Sequence, residues 1–425
     1  MDGLRELLPD SAAVDDGTLA IGGISTVALA EEFGTPLVVY CEQTIVSAAR
    51  EYLKAAPGAL VLYGVKAFPN VALLELLASE GLGVDVSTLG ELTFAQRAGI
   101  PGERLVVHGN NKSDDELRAA AAAEARFVVL DSLDEIPRAA AADVPRTLVR
   151  VTPGIEADTH EAIRTAHHGS KFGLPPDDAV TAIADARAAG LDVAGLHLHI
   201  GSQLLDVQAA RTGIDWLAGF AAQCRADLGW TPKTIDVGGG LGIAHVEAEH
   251  APSIAAFVTA LVERLEHAWR LHDLELPELI LEPGRSLVGR AGVTLYRVGV
   301  VKRTSEATTF VAIDGGMSDN PRPQLYGARY SALLANRAGD APTGTFSVCG
   351  KHCESGDVLI EEVALPKPER GDLLAVPGTG GYTLGMGSNY NAVPRPAAVL
   401  VADGEARVIR RRETLDDLVR LEGSR

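Results

Sequence analysis

From about residue 58 to about residue 290, short runs of β-branched and aliphatic residues alternate with longer stretches rich in Ala and Leu. A short apolar run bounded by turn residues predicts a buried strand, and a longer stretch with apolar positions three or four apart predicts an amphipathic helix. The strands expected are LVLYGVKA (60–67), GVDVS (83–87), RLVVHG (104–109), RFVVLD (126–131), TLVRVTP (147–153), DVAGLHLHIG (192–201), TIDVGGG (234–240) and ELILEPGRSL (278–287). Helical patterns such as NVALLELLASE and LGELTFAQRAG lie between them. Eight strands separated by helices close a TIM-type (β/α)8 barrel, in which functional side chains sit at the C-terminal strand ends. Here those ends carry Lys66, Asp85, His108, His199, the glycines 238–240 and Glu282. A doubly wound open sheet is the rival fold, and it needs fewer polar strand ends.

After about residue 290 the period changes. VTLYRVGVVKRT, TTFVAIDGG, TGTFSVCG, DVLIEEVALP, DLLAVPG and PAAVLVADGEARVIRR read as strands punctuated by Gly, Pro and Asp. The expectation is a barrel over 37–287 followed by an all-β, Greek-key-like domain over 288–425, completed by 1–36. Thr414 with Asp417 three residues on predicts the capped start of a last short helix.

Composition narrows the function classes. The 425 residues carry a formal charge of −19 and a pI near 5.0, which disfavours polyanionic nucleic acid or bilayer surfaces as partners. Small molecules are the better expectation. The four cysteines, Cys41, Cys224, Cys349 and Cys353, are few and scattered, as in a reduced cytosolic protein. No zinc site is expected, since no second Cys/His pair accompanies Cys349 and Cys353. An N-terminus without a basic and then apolar region, and the lack of an apolar run long enough to span a membrane, place the expected protein in the cytoplasm.

Four stretches carry candidate chemistry. Lys66, in LYGVKAFPN, ends an apolar strand. Alone it reads as a lysine reaching into solvent, while in a barrel mouth partial desolvation would make it a Schiff-base nucleophile. IDVGGGLG (235–242) is either a tight turn or a loop whose backbone N–H groups approach a phosphate. In GLHLHIGSQ, His197 and His199 are two apart on a strand and share a face. With no third ligand nearby along the chain, the pair makes a weak metal site, and one flat imidazole suits stacking on an aromatic cofactor, with Gly201 and Ser202 near its phosphate. Glu282, in ILEPGRS, is a carboxylate on an apolar strand that needs a cation: a protonated pyridine nitrogen, or Arg285.

A lysine, a stacking histidine, phosphate-binding glycines and a carboxylate for a pyridinium together suit pyridoxal phosphate. At these residues the chain resembles the barrel-type pyridoxal-phosphate-dependent amino-acid decarboxylases, most closely those acting on diaminopimelate. The resemblance covers nearly the whole chain through YGVKAF, GVDVSTLGEL, HGNNKS, THEAIRTAHHGSKFG, HLHIGSQ, DVGGGLG, EPGRS, GMSDNPRPQLYGARY, GKHCESGDVL and GYTLGMGSNYN, in the expected order. It implies that Lys66 holds the cofactor covalently, with Asp85 among the residues around it. His199 would stack on the ring and Glu282 would bind its nitrogen. Ser202, Gly239, Gly240, Gly284 and Arg285 would lie around the phosphate, with Tyr382 closing that side. Cys353 would supply the proton that follows loss of carbon dioxide. Arg285, Arg322 and Tyr326 would bind the substrate's distal carboxylate, Glu354 its distal ammonium, and Tyr382 would also face the substrate. A homodimer with shared active sites is implied, Cys353 and Glu354 coming from the neighbour.

An amine-ended substrate needs only an acid at its far end, whereas a second amino-acid head needs a cation as well. The expected reaction is therefore decarboxylation of meso-2,6-diaminopimelate to L-lysine, the last step of lysine biosynthesis. Two departures from the family pattern, Phe68 where many relatives carry Asn and Gly381, Gly385 and Gly387 where Ala or Ser is usual, leave a decarboxylase of a related amino acid as the alternative. A racemase usually has arginine at the pyridine nitrogen, and a non-catalytic cofactor carrier would not need Cys353 and Glu354. His160, His167 and His168 lie in a candidate lid over 156–173.

Overall fold

The computed structural model describes residues 2–154, 170–304 and 308–423. The expected lid histidines His160, His167 and His168 lie outside the described residues. The chain forms two compact units, one of residues 48–242 and 251–286, the other of 1–47, 243–250 and 287–425.

The first unit is a closed parallel barrel. Its strands are β1 (Leu60–Gly64), β2 (Gly83–Val86), β3 (Leu105–Val107), β4 (Phe127–Leu130), β5 (Thr147–Arg150), β6 (Val193–His197), β7 (Thr234–Asp236) and β8 (Glu278–Leu281). Each pairs with the next, and β8 closes on β1 through Ile280 opposite Leu60 and Leu281 opposite Val61. Leu62, Val106, Phe127, Val129, Leu148, Ala194 and Ile280 fill one buried cluster, so the barrel is a packed core and not a pore. Local chemistry starts the helices. Asn70, Thr88, Ser113 and Ser253 each accept a first-turn backbone N–H, and Glu116 completes a capping box with Ser113.

The second unit is built on a mixed sheet. Leu37–Cys41 is an interior strand of it, antiparallel to Gly292–Arg303 and parallel to Ala397–Ala402. This strand, which the expected boundary put at the start of the barrel, thus hydrogen-bonds within the β unit. The twelve-residue strand Gly292–Arg303 continues to pair with Thr309–Ile313 and Leu373–Pro377. Thr309–Ile313 runs parallel to Gly344–Cys349, which pairs antiparallel with Val358–Leu365. Two apolar clusters, one around Val39, Leu295 and Val399 and one around Tyr296, Val311 and Val376, form its interior. Thr414 and Asp417 form the expected capping box on the helix Leu415–Val419. Among the described residues no helix is long and apolar enough to cross a membrane.

Candidate active site

Every barrel strand delivers a polar side chain at or just beyond its C-terminal end. Lys66 follows β1 on the turn Val65–Ala67, and Asp85 lies on β2. His108 follows β3, Asp131 follows β4, Arg150 ends β5, His197 ends β6, Asp236 ends β7 and Glu282 follows β8. Closure of the sheet turns these into one ring.

At one side of the ring Lys66 Nζ stands 3.5 Å from Asp85 Oδ1, its side chain 48% exposed while that of Asp85 is fully buried. Burial pushes the Asp85 carboxyl above its ordinary range, although Lys66 pulls it back. The acid is therefore strongly dependent on the ammonium beside it.

Deeper in the ring His108, His197, Asp236 and Glu282 are all buried, with their donor atoms within 4.8 Å of one another. His108 Nε2 is 2.5 Å from Glu282 Oε1, His197 Nε2 is 3.5 Å from Glu282 Oε2, and the two imidazoles meet edge to face at 4.8 Å. The 2.5 Å contact is a hydrogen bond, closer than the roughly 3.3 Å between two nitrogen or oxygen ligands on one tetrahedral zinc. Burial alone would raise the Glu282 pKa. The charge and hydrogen bond of His108, the largest of the opposing influences, outweigh it and hold the carboxyl well below its usual range. Asp236 moves the opposite way, raised well above normal by burial and by the neighbouring Glu282 charge, with Oδ1 accepting 2.8 Å from the Gly238 N–H. One carboxylate of the pair thus carries the negative charge and the other favours its proton. Burial lowers His197 to about 3 and lowers His199 well below the ordinary histidine value, which favours neutral rings.

The glycine loop after β7 is shaped by close approach. Gly238 (φ 66°) and Gly240 (φ 117°) hold backbone conformations that L-residues avoid. A Cβ on Gly238 would lie 2.6 Å from His199 Nδ1, one on Gly239 2.1 Å from the Glu282 carbonyl oxygen, and one on Gly240 2.6 Å from that of Gly201. The loop therefore seats His199 and packs against both the HIGS and EPG segments. Arg285 Nη2 donates to Ser202 Oγ at 3.3 Å across the same region.

Two further ion pairs brace the ring. Buried Lys112 lies 2.7 Å from Glu135 and donates to the Gly109 and Val129 carbonyl oxygens, each at 2.7 Å. Arg150 stands 3.7 Å from Asp131 and 4.6 Å from the centre of the Phe172 ring.

The β unit carries the remaining candidates. Cys353 and Glu354 are exposed on a loop held by buried Asp357, whose carboxylate accepts from the His352 N–H at 2.9 Å and the Met317 N–H at 2.7 Å. The Cys353 N–H donates to Asn391 Oδ1 at 2.8 Å. Arg322 and Tyr326 lie on the short helix Arg322–Tyr326. Gln324, between them, donates to the Gly356 and Val358 carbonyl oxygens at 2.9 and 3.0 Å and so ties the helix to the loop. Arg322 is buried while Tyr326 is 65% exposed. Although it lies between Pro321 and Pro323, Arg322 is therefore not a solvated loop arginine. Tyr382 adopts φ 60° after a loop that Tyr40 fixes by donating to the Gly380 carbonyl oxygen at 2.9 Å.

Of the expected residues, Lys66, Asp85, His199, Ser202, Gly239, Gly240, Glu282, Gly284 and Arg285 belong to the barrel unit, and Arg322, Tyr326, Cys353, Glu354 and Tyr382 to the β unit. Glu282 has the His108 and His197 rings as its near neighbours. The third donor missing beside His197 along the chain is present in space. His108, Asp131, Arg150 and Asp236 had a visible signal, a polar residue at the end of each apolar run, without a role attached to it. Phe68 is a core residue whose carbonyl oxygen accepts from Tyr63 at 3.3 Å. A Cβ on Gly387 would lie 3.0 Å from the Ser318 carbonyl oxygen, a tight approach.

The barrel residues fit pyridoxal phosphate: an ionised buried carboxylate for a ring N–H, a neutral flat imidazole seated on glycine, a lysine at the mouth and a glycine cradle. The family model for the pyridoxal-binding domain of pyridoxal-dependent decarboxylases matches residues 42–289. The diaminopimelate decarboxylase of Actinosynnema pretiosum is 43% identical over 98% of this chain and 95% of its own. That of Bacillus subtilis is 40% identical over 96% and 95%. The crystal structure of diaminopimelate decarboxylase from M. jannaschii in complex with L-lysine superposes with a TM-score of 0.91 at 32% identity, covering 98% of both chains.

Proposed function

The chain belongs to the pyridoxal-dependent decarboxylases, and we propose that it releases carbon dioxide from meso-2,6-diaminopimelate to form L-lysine, the last step of lysine biosynthesis. The observation that carries the substrate assignment is Arg322. It is a guanidinium only 6% exposed whose Nε has no hydrogen-bond partner among the described residues. A buried cation with donors to spare is suited to an anion, and ornithine or arginine brings none at its far end once the reacting carboxylate is accounted for.

Bound pyridoxal phosphate supplies the electron sink for the pair left when the carbon–carboxylate bond breaks. Lys66 would hold the cofactor covalently and release it to the substrate amine, with Asp85 steadying the freed ammonium. Glu282, kept ionised by His108, would accept the hydrogen bond of the ring nitrogen and keep that nitrogen protonated. His199 would cover one face of the ring. Gly239, Gly240, Ser202, Gly284, Arg285 and Tyr382 would surround the phosphate. Cys353 would give its thiol proton to the substrate α-carbon after carbon dioxide leaves.

At the substrate's other head, Arg285, Arg322 and Tyr326 would hold the carboxylate and Glu354 the ammonium. In this reading two chains form a homodimer, and Cys353 and Glu354 serve the partner's barrel. Their exposure on a braced loop supports it. Reaction in the cytoplasm completes the proposal. Carbon dioxide release from meso-diaminopimelate, lysine, ornithine and arginine, measured side by side, tests the substrate. Release from ornithine or arginine but not from diaminopimelate would overturn it.

A further inference from the structure

Arg322 does not face its ligand alone. Its Nη1 donates both of its hydrogens within the β unit, one to His245 Nε2 at 3.0 Å and one to Tyr330 Oη at 2.8 Å. All three side chains are buried, at 6%, 4% and 2% exposure for Arg322, His245 and Tyr330. The imidazole and the phenol ring stand edge to face at 5.1 Å and 88°.

His245 is itself pinned at both backbone groups. Its N–H donates to Glu249 Oε2 at 2.9 Å and its carbonyl oxygen accepts from the Ser331 N–H at 3.0 Å. Its Nδ1 stands 3.9 Å from the same Glu249 carboxylate oxygen. That placement suits the tautomer with the proton on Nδ1, leaving Nε2 as the acceptor that Arg322 needs.

A guanidinium has two flat, two-donor edges on which a carboxylate can form parallel hydrogen bonds, Nη1–Nη2 and Nε–Nη2. With Nη1 spent on His245 and Tyr330, the Nη1–Nη2 edge is closed to the substrate. The Nε–Nη2 edge remains, and Nε is the buried donor without a partner among the described residues. We infer that His245 and Tyr330 are positioning residues for substrate specificity: they select the Nε–Nη2 edge of Arg322 as the receptor for the carboxylate at the non-reacting end. The inference rests on the proposed role of Arg322. It adds that the segment directly after the glycine loop, Ile243–His250, sets which far ends are accepted.

The test uses the holoenzyme turning over meso-diaminopimelate, with L-lysine and cadaverine as competitive inhibitors. Lysine keeps the non-reacting carboxylate and cadaverine lacks it. His245→Leu removes an acceptor from a charged donor, and it is expected to raise the lysine inhibition constant and the KM for diaminopimelate about tenfold. The cadaverine constant should move less than about twofold, and kcat less than KM. His245→Gln, which returns an acceptor oxygen, is expected to restore the lysine constant to within about threefold of the parent. Tyr330→Phe should shift the lysine-to-cadaverine ratio in the same direction, and it carries the test if His245→Leu loses its cofactor absorbance through misfolding. Arg322→Ala separates the two ideas. If it changes the ratio while the His245 and Tyr330 variants do not, the positioning role is wrong and the Arg322 reading stands. If Arg322→Ala also leaves the ratio unchanged, the carboxylate is bound elsewhere and both readings fall.

Discussion

The barrel mouth and the β unit solve different problems with the same kinds of side chain. In the barrel mouth the ionisable groups are buried and answer one another. Glu282 is charged because His108 is 2.5 Å away, and Asp236 favours its proton because it is buried and stands beside the Glu282 charge. In the β unit Cys353, Glu354 and Tyr326 are exposed, and the loop carrying the first two is braced through backbone bonds to Asp357. Arg322, by contrast, is buried, with two of its five N–H donors spent on His245 and Tyr330. Electronics needs a low dielectric and groups that cannot reorganise. Recognition of a flexible, charged substrate needs donors and acceptors that water leaves easily.

Four changes would break or sharpen that contrast. Lys66→Ala has the largest expected effect: the visible absorbance of the holoenzyme disappears together with carbon dioxide release. Colour that survives would place the covalent link elsewhere. Glu282→Gln should leave the cofactor bound but lower kcat by about 10²–10³-fold, because a neutral amide no longer favours protonation of the ring nitrogen. An unchanged kcat would detach the buried tetrad from the chemistry. Cys353→Ala should lower kcat by roughly 10²-fold with little change in KM, the usual size of a lost proton donor. An unaltered rate would mean that the proton has another source.

The smallest effect concerns stability. Asp319 in the β unit is fully buried, its carboxyl pushed up to about 7 chiefly by burial, although Tyr296 Oη donates to Oδ2 at 2.6 Å. Because its folded pKa lies above the unfolded value, the folded state holds a proton that the unfolded state gives up, and stability falls as pH rises from about 4 to about 7. Relative to Asp319→Asn, the parent is expected to lose on the order of 2–4 kcal/mol across that window in denaturant titrations. Parallel pH profiles of the two proteins would show that Asp319 titrates normally.

Much of the site could be read along the chain because the physics there is local. A lysine, a histidine, three glycines and a glutamate each sit where an apolar run ends, and the family motifs attach roles to them. His108 and Asp236 stood at equivalent strand ends but acquired no role, since their meaning depends on a neighbour far away in sequence. The β unit was legible as strands but not as a sheet. Leu37–Cys41 is a short apolar run that the expected strands did not include, and nothing local says that it runs parallel to Ala397–Ala402 and antiparallel to Gly292–Arg303.

The amino-acid sequence by itself determined the strands, the capped helices, the eight polar strand ends and the reactive groups, because periodicity, capping and side-chain chemistry act over a few residues. Tertiary structure alone decided which groups meet. Closing β8 onto β1 brings Glu282 to His108 across 174 positions of chain. Packing of the segment Ile243–His250 against Tyr330 brings His245 and Tyr330 together at Nη1 of Arg322. Such pairings follow from barrel closure and sheet register, which depend on the whole set of contacts and leave no mark on either partner's neighbours in sequence.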